Sequence, residues 1–264
     1  MENFFYFFEF PDGHYLNVTA RRQLAKQLMV LAKDGWKKYQ TNAIRRVYIP
    51  KANGKRRPLG ILTKRDAVVQ GVFKTALEPF WEAKFEGESF GFRSAYRTHD
   101  AIQAIFNSIK QRHKWVLDAD IKGCFDNISH EFILNLMPTR QLKRVVKQWL
   151  KAGILDGRQA FNPEAGTPQG GVISPLLANI ALDGMERYLK EQVTNKYTKT
   201  IARSLNVVRY ADDFVVLHKE KAVVQQCQVW LKDWLALRGL TLSEEKTKLV
   251  HTSEGFDFLG FNVR

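Results

Sequence analysis

The 264-residue chain has little cysteine and no grouping of metal-binding side chains. Its two cysteines, Cys124 and Cys227, lie far apart, and its six histidines form no cluster. A disulfide framework or a zinc site needs paired cysteines or closely spaced Cys and His residues, so this spacing argues against both. Scarce cysteine is typical of proteins in a reducing compartment, and we expect a cytoplasmic location.

Long apolar runs and targeting signals are also missing. The aromatic opening from Phe4 to Phe10 is interrupted by Glu9 and has no basic segment before it, unlike a secretory signal peptide. No segment approaches the ~20 apolar residues of a membrane-spanning helix. Internal repeats and low-complexity linkers are absent as well. The sequence therefore predicts a folded, soluble protein of one or two domains.

Acidic residues are scarce in the first quarter of the chain. Residues 1–65 contain 14 basic and 4 acidic residues, so they carry +10 of the net charge of +14. A folded protein with such uneven basic charge is typical of one that binds a polyanion, most simply nucleic acid. An anionic membrane surface is the alternative partner.

Apolar residues recur with both helical and strand periods. Helical patterns cover residues 64–80, 98–110, 141–151, 174–190 and 222–238, and strand patterns cover 45–51, 55–61, 115–121, 206–217, 248–251 and 256–261. Helices and strands do not alternate regularly, as they would in a doubly wound sheet. The sequence therefore predicts the α+β class.

A strongly basic hairpin is predicted near the N-terminus. Asn53-Gly54 is a strong turn signal between two strands, and four cations crowd the turn: Lys51, Lys55, Arg56 and Arg57. Arginine offers a forked donor and lysine a mobile charge, so the cluster suits phosphate binding. An edge hairpin whose charges deter aggregation is the alternative.

Two adjacent carboxylates are predicted at the tip of a second hairpin. Apolar strands flank Ala211-Asp212-Asp213, and strand 115–121 supplies a third acid, Asp120. Adjacent acids repel each other unless a cation neutralises them. Three carboxylates on adjoining strands suit two Mg²⁺ ions, about 3.5–4 Å apart, for in-line phosphoryl transfer. A solvated Asp-Asp turn without function is the alternative.

Seven blocks of sequence, in order, carry a resemblance to a known family. They are RRVYIPKANGKRRPLGI (45–61), SFGFRS (89–94), WVLDADIKGCFDNISHE (115–131), AGTPQGGVISPLLANIALDGMER (165–187), VRYADDFVV (208–216), GLTLSEEKTK (239–248) and FDFLGF (256–261). In these blocks the chain resembles bacterial reverse transcriptases of the group II intron-encoded, retroelement type. Seven ordered blocks are far more specific than the YADD motif alone.

The resemblance implies the fingers and palm of a right-hand polymerase, with an antiparallel palm sheet backed by helices and a basic fingers hairpin. It places fingers at 1–95, with part of an N-terminal extension, palm at 96–127, fingers at 128–172 and palm at 173–264. It also implies RNA-directed DNA polymerisation from dNTPs, with two Mg²⁺ ions for which Mn²⁺ can substitute. The implied partners are an RNA template, a DNA primer and a structured intron RNA, in the bacterial cytoplasm or at the nucleoid.

The resemblance assigns Asp120, Asp212 and Asp213 as catalytic metal ligands, with the Ile121 carbonyl as a further ligand. Asp118, two residues earlier on the same strand face, is the alternative to Asp120. The family pattern selects Asp120, because Phe125 then falls five residues on, at the sugar gate. A ring there excludes a ribose 2′-hydroxyl, which favours DNA synthesis over RNA synthesis.

The remaining roles implied by the resemblance concern substrates. The dNTP contacts are Lys51, Arg57, Phe125, Gln169 and Gly170. Lys246 matches the position of a general acid that protonates pyrophosphate, with a plain surface lysine as the alternative. Nucleic-acid contacts are expected from Lys55, Arg56 and Arg93, and bracing of the palm is the alternative role of Arg93.

Parts of the family pattern have no counterpart in the sequence. The thumb, maturase and endonuclease regions that usually follow the last block are not found before Arg264. Splicing assistance and target cleavage are therefore not implied, and low processivity is expected. The main rival function is a non-enzymatic RNA-binding fragment or intron splicing cofactor with an idle polymerase site. An RNA-dependent RNA polymerase is disfavoured by Phe125.

Overall fold

A computed structural model describes residues 17–50, 54 and 56–264. The helices are α1 (Val18–Lys33), α2 (Lys64–Glu82), α3 (Thr98–Ile109), α4 (Cys124–Asn127), α5 (His130–Asn135), α6 (Arg140–Leu150), α7 (Ser174–Leu182), α8 (Met185–Lys196), α9 (Lys199–Ser204) and α10 (Lys221–Ala236). The strands are β1 (Ile44–Pro50), β2 (Arg56–Ile61), β3 (Trp115–Asp120), β4 (Ile154–Asp156), β5 (Gln159–Phe161), β6 (Asn206–Tyr210), β7 (Asp213–His218), β8 (Lys248–His251), β9 (Phe256–Phe258) and β10 (Phe261–Val263). This mixture confirms the predicted α+β class.

The chain divides into two compact units, and unit 1 comprises the described part of residues 1–80 together with 130–177. Its sheet has the strand order β2-β1-β4-β5, in which β1 and β2 form the predicted basic hairpin and β1 pairs in parallel with β4. Tyr39 lies in its core. The Tyr39 hydroxyl donates to Asp66 Oδ1 at 2.7 Å and accepts from Trp149 Nε1 at 2.8 Å. This buried contact joins the segment after α1 to α2 and α6.

Unit 2 comprises residues 81–129 and 178–264. Its sheet has the strand order β6-β7-β3-β8, and every pair in it is antiparallel. One face packs against α3 and the β9–β10 hairpin, and α10 packs on β3 and β7. The predicted antiparallel sheet backed by helices is therefore confirmed.

The apolar face of this sheet ends in carboxylates. Alternate residues of a strand share a face, so Asp118 and Asp120 continue the face of Val116 in β3. Val116 belongs to the core cluster that includes Val215 and Leu217 of β7. Asp213 begins the same face of β7. Alternate residues of β3 and β7 therefore form one face of the sheet that is apolar in the core and carries three acids at one end.

Two details of the helix and strand predictions are wrong. The single helix expected over 174–190 is divided into α7 and α8, because Gly184 adopts a positive φ of 88° between them. The single strand expected over 256–261 is the hairpin β9–β10, which turns at Leu259 and Gly260, both with positive φ.

No helix in the described part of the chain has both the length and the apolar character needed to cross a membrane.

Candidate active site

The two adjacent carboxylates lie where the sequence predicts them, at the β6–β7 hairpin. Tyr210 pairs with Asp213, so Ala211 and Asp212 form the two-residue turn. Ala211 has a φ of 57°, in the left-handed region that residues with a side chain rarely adopt. The backbone here is thus held in an unfavourable conformation, and other contacts must fix it.

The third acid lies beside the hairpin on the adjacent strand. Asp120 is directly opposite Asp213 in the β3–β7 pair, and Ile121 N–H donates to Asp212 O at 3.3 Å. A pocket of about 190 Å³ opens here and is lined by Asp118, Ala119, Asp120, Asp213, Lys246 and Asp257, with Phe258 and Leu259. Four of these eight residues are acidic, so the pocket attracts cations.

The electrostatics of the pocket favour a bound cation. Burial, with Asp212 and Asp120 as the next causes, raises the pKa of Asp213 to about 6. Burial also raises the pKa of Asp118 to about 6, while Lys248 acts in the opposite direction. Lys246 Nζ forms an ion pair with Asp120, and this hydrogen bond raises the pKa of Lys246. Lys246 therefore supplies positive charge to the carboxylates.

The donor set suits a hard divalent cation, which prefers carboxylate and carbonyl oxygens. Within residues 17–50, 54 and 56–264, however, no three acidic, His or Cys side chains are arranged so that they could hold a metal ion as they stand. Metal binding by all three predicted ligands therefore requires side-chain movement, with Lys246 leaving Asp120 and Asp212 joining the other two. The carboxylate and carbonyl oxygens, and the pairing of the strands that carry them, are suited to a metal ion. In the present side-chain conformations, however, Asp120 forms its ion pair with the ammonium group of Lys246.

A buried polar network that the sequence analysis missed holds the turn. Arg209 Nη1 donates to Ala211 O at 3.0 Å and to Asn179 Oδ1 at 2.9 Å, and Asn179 Nδ2 donates to Gly91 O at 2.7 Å. Arg209 is 2% exposed, and burial lowers its pKa to about 10. The signal in the sequence is a polar residue inside an apolar run, Arg209 in V-V-R-Y and Asn179 in L-L-A-N-I-A-L.

Gly91 is needed for the close approach of its loop to this turn. A Cβ built on Gly91 would clash with Ala211 N and lie 2.8 Å from the carbonyl carbon of Tyr210. Phe90 N–H also donates to Arg209 O at 2.9 Å. The SFGFRS block therefore packs its backbone directly on the YADD turn, which explains why a residue without a side chain occurs there.

The predicted nucleic-acid contact of Arg93 needs correction. Its side chain is 5% exposed and pairs with Glu82, with Nε 2.8 Å from Glu82 Oε1. The guanidinium also donates to Glu86 O at 2.8 Å and to Ser89 O. A guanidinium enclosed in this way has no exposed face for a phosphate, so the structure favours the alternative role of bracing unit 2.

Phe125, the predicted sugar gate, lies in α4 directly after β3. Its ring is partly buried and meets the ring of Phe92 edge to face, with centroids 5.9 Å apart. Phe92 is 48% exposed and has a φ of 58°. Phe125 is thus held in place by a ring from the SFGFRS block.

The other predicted substrate contacts that the structure describes lie in unit 1. Arg56 and Arg57 are exposed on β2, and Lys51 and Lys55 lie outside the described residues. Gln169 O accepts from Gly60 N–H at 2.6 Å, which ties the 166–171 loop to β2. Gly170 has a φ of 101°, and a Cβ there would lie 2.6 Å from Gly60 O. Only glycine fits this close backbone approach.

Comparisons with known proteins agree with this geometry. The sequence profile of the family described as "Reverse transcriptase (RNA-dependent DNA polymerase)" matches residues 49–263. The chain is 34% identical over 260 residues to Protein YkfC of Escherichia coli (strain K12), covering 85% of this chain and 68% of YkfC. It is 32% identical over 301 residues to the group II intron-encoded protein LtrA of Lactococcus lactis subsp. cremoris, covering 90% of this chain and 49% of LtrA.

Solved structures show the same fold at low sequence identity. Telomerase from Candida albicans, solved in complex with a TWJ fragment of telomeric RNA, matches with a TM-score of 0.66 and 13% identity, covering 94% of this chain and 50% of that chain. Apo telomerase from Candida tropicalis matches with a TM-score of 0.63 and 14% identity, covering 94% of this chain and 51% of that chain. These similarities confirm the predicted polymerase fold of fingers and palm.

The family profile covers most of the chain, and the resemblance to group II intron-encoded proteins is confirmed by LtrA. The chain therefore belongs to the reverse transcriptase (RNA-dependent DNA polymerase) family.

Proposed function

We propose that the protein is an RNA-directed DNA polymerase that extends a primer 3′-hydroxyl with dNTPs on an RNA template. The observation that carries the proposal is the pairing of Asp120 with Asp213 beside the Asp212 turn. Membership of the reverse transcriptase family supports it. The chain spans about two thirds of YkfC and half of LtrA, so the activities of those whole proteins are not carried over.

Asp120, Asp212 and Asp213, with the Ile121 carbonyl, would hold the divalent metal ions that the family uses. We propose two Mg²⁺ ions, with Mn²⁺ as a substitute. When bound, they supply activation of the 3′-hydroxyl and neutralisation of the triphosphate and the leaving pyrophosphate. The Arg209–Asn179 contact positions the turn that carries two of these ligands.

Lys246 is the proposed proton donor to pyrophosphate. Its ammonium reaches Asp120 and lines the acidic pocket, which supports a position at the reaction centre over that of a plain surface lysine. Phe125 is the proposed gate against a 2′-hydroxyl, because its ring lies five residues beyond Asp120 and is held by Phe92.

The proposed dNTP contacts in unit 1 are Lys51, Arg57, Gln169 and Gly170, and Lys55 and Arg56 are proposed to contact nucleic acid. We assign fingers to 1–95 and 128–172 and palm to 96–127 and 173–264. The exposed cations of β2 and the close approach of Gly170 to Gly60 support the unit 1 roles. Lys51 and Lys55 are assigned from the family pattern alone.

The nucleic-acid partners of the protein are also proposals. RNA template binding follows from the family, whereas a DNA primer and a structured intron RNA are inferred from the resemblance to LtrA. The basic charge of residues 1–65 supports a polyanionic partner. We place the protein in the bacterial cytoplasm or at the nucleoid, where these partners are found.

Primer extension on an RNA template tests the proposal. The wild-type protein is assayed with Mg²⁺ and dNTPs, or with rNTPs, beside Asp212→Ala, and RNA binding is measured separately for both proteins. We expect extension with dNTPs by the wild type, and loss of extension with retained RNA binding in Asp212→Ala. RNA binding without any extension by the wild type would instead support the non-enzymatic alternative, an RNA-binding protein or splicing cofactor.

A further inference from the structure

Unit 2 contains a second pocket whose lining is basic instead of acidic. Its volume is about 350 Å³, and its lining includes three cations and three hydroxyl residues: Arg112, Lys114, Lys219, Ser108, Thr200 and Ser204. The two remaining lining residues are a neutral amide and an aliphatic side chain, so no acid faces the pocket. Three positive charges around one cavity favour an anionic ligand.

The basic pocket lies at the opposite end of the sheet from the carboxylates. Trp115 pairs with His218 at one end of the β3–β7 ladder, and Asp120 pairs with Asp213 at the other. Five residues of strand separate the two ends by about 16 Å. Lys114 immediately precedes β3 and Lys219 immediately follows β7, so the antiparallel pairing brings both lysines to the same edge.

The cations of this pocket are poorly neutralised by the protein. Lys114 Nζ donates to Asn206 Oδ1 at 2.7 Å, and burial of the ammonium lowers the pKa of Lys114. The Arg112 guanidinium is exposed and makes no hydrogen bond or ion pair with any residue that the structure describes. Lys219 has an acid nearby, Glu220, at 3.7 Å, but both side chains are about half exposed and such pairs are weak.

A buried histidine, His218, is hydrogen-bonded to one of the lining residues, Ser204. Glu220 N–H donates to His218 Nδ1 at 3.0 Å, so the proton is assigned to Nε2, which lies 2.8 Å from Ser204 Oγ. Ser204 Oγ in turn donates to Ile201 O at 2.8 Å. This chain of hydrogen bonds fixes α9 against β7, and it leaves His218 uncharged and the hydroxyl oriented.

We propose that this pocket is a phosphate-binding site, distinct from the polymerase centre, that takes backbone phosphates of an RNA strand. Arginine and lysine are usual phosphate donors, and Thr200 adds a hydroxyl, whereas Ser108 and Ser204 donate their hydroxyl protons to the carbonyl oxygens of Ile105 and Ile201. No aromatic ring lines the pocket to stack a base, so binding there depends on phosphate and ribose and is independent of sequence. RNA is favoured over a free phosphate because the pocket is open and two of its three cations are exposed.

The test is the salt dependence of RNA binding by the whole chain. Fluorescence anisotropy of a labelled RNA is measured without dNTPs, for the wild type and for the double variant Arg112→Ser/Lys219→Ser. The matched control is Lys232→Ser, which removes an exposed lysine of α10 outside the pocket. The slope of log K against log salt is taken over about 50–300 mM KCl, since each lost phosphate contact changes it by ~0.7–0.9.

We expect the double variant to bind RNA about 3–10-fold more weakly near 100 mM KCl and to lose about 1–2 units of slope. Lys232→Ser should stay within about twofold of the wild type. Both pocket substitutions are at exposed side chains, so the thermal unfolding midpoint should be unchanged and should confirm folding. Equal slopes in the double variant and the control would overturn the proposal.

Competition with inorganic phosphate shows whether the pocket binds the phosphates of an RNA strand or a free phosphate ion. If the pocket takes RNA phosphates, phosphate added at constant ionic strength should displace RNA from the wild type more readily than from the double variant. Phosphate binding is measured separately by ³¹P NMR. If the double variant loses phosphate binding but keeps the RNA affinity of the wild type, the assignment of the pocket to RNA is overturned. Binding is read without catalysis, and the same slopes are expected in an Asp212→Ala background, so this result is independent of the proposed polymerase activity.

Discussion

Asp120 lies directly opposite Asp213 in the β3–β7 pair, whereas Asp118, on the same strand face, lies opposite Val215 and is paired on its other side with Lys248 of β8. Both acids line the same pocket, so exposure alone does not distinguish them. Only Asp120 adjoins the hairpin that carries Asp212 and Asp213. The pairing therefore predicts that Asp120 is the metal ligand and that Asp118 is a neighbour.

The first prediction compares Asp120→Asn with Asp118→Asn. Substitution of residues that hydrogen-bond to metal ligands typically reduces metal affinity or activity by ~10–100-fold. Loss of a ligand itself should be more severe, so we expect Asp120→Asn to lower kcat for primer extension by roughly 100-fold or more. Asp118→Asn should keep kcat within about fivefold of the wild type. RNA binding should be equal in both variants. Similar losses of kcat in the two variants would contradict the assignment of Asp120.

The second prediction concerns Gly91, with Gly87→Ala as the matched control. A methyl group at Gly91 would meet the backbone of Tyr210 and Ala211, whereas a methyl group at Gly87 would meet nothing within 4 Å. Forcing atoms into a packed region lowers the free energy of unfolding by ~1–3 kcal/mol. Gly91→Ala should therefore lose stability in urea denaturation and most of its extension activity.

Gly87→Ala should unfold at the same urea concentration as the wild type, within error, and should keep its activity. If Gly91→Ala behaves like Gly87→Ala in both measurements, the loop does not support the YADD turn as the structure indicates.

The acidic hairpin could be predicted from the sequence because its signals are local. Two β-branched runs and the Ala211-Asp212-Asp213 turn specify the pairing without help from distant residues. The support of the turn could not be predicted in this way. It joins Gly91, Asn179 and Arg209, which are far apart in sequence, and only the tertiary fold brings them together.

The same distinction explains the errors. Asp183 and Gly184 separate α7 from α8 although the helical pattern of apolar residues continues on both sides, and periodicity alone does not show such a break. The short strands β4 and β5 have too few residues for an alternating pattern. For Arg93 the resemblance left a nucleic-acid contact and bracing of the palm both open, and its partner Glu82, eleven residues earlier in α2, could not be identified from the sequence.

The third prediction tests the sugar gate. Phe125→Val removes the ring that lies against Phe92 and should increase incorporation of rNTPs relative to dNTPs by about 10-fold or more, because the pocket no longer excludes the 2′-hydroxyl. The measurement is the ratio of kcat/KM for rNTP to that for dNTP in single-nucleotide extension. Phe106→Val is the matched control, since Phe106 is 50% exposed on α3. An unchanged ratio in Phe125→Val would remove Phe125 from the gate role.

The fourth prediction concerns His218, which is fully buried at the end of β7. Its pKa is lowered, first by burial and then by the cations Lys219 and Lys114, while the Glu220 carboxylate acts in the opposite direction. The unfolded chain binds a proton near the ordinary His pKa of ~6.5, and the folded chain binds it only at lower pH. The unfolded state therefore holds more protons in this window, so stability falls as pH is lowered below ~6.5 and stops falling below the folded pKa.

One histidine of this kind changes the free energy of unfolding by at most about 1.4 kcal/mol per pH unit. Urea denaturation between about pH 7.5 and 5 should show a histidine-dependent decrease as the difference in slope between the wild type and His218→Gln, because Asp118 and Asp213, whose pKa values are raised to about 6, change stability in the opposite direction in both proteins. His130 also has a pKa lowered by burial, so part of the decrease should remain in His218→Gln and diminish further in a His130→Gln/His218→Gln double variant. The comparison uses slopes with pH, because a buried substitution lowers stability at every pH. An identical slope in the wild type and His218→Gln would show that the imidazole takes up its proton equally well in the folded and unfolded chains.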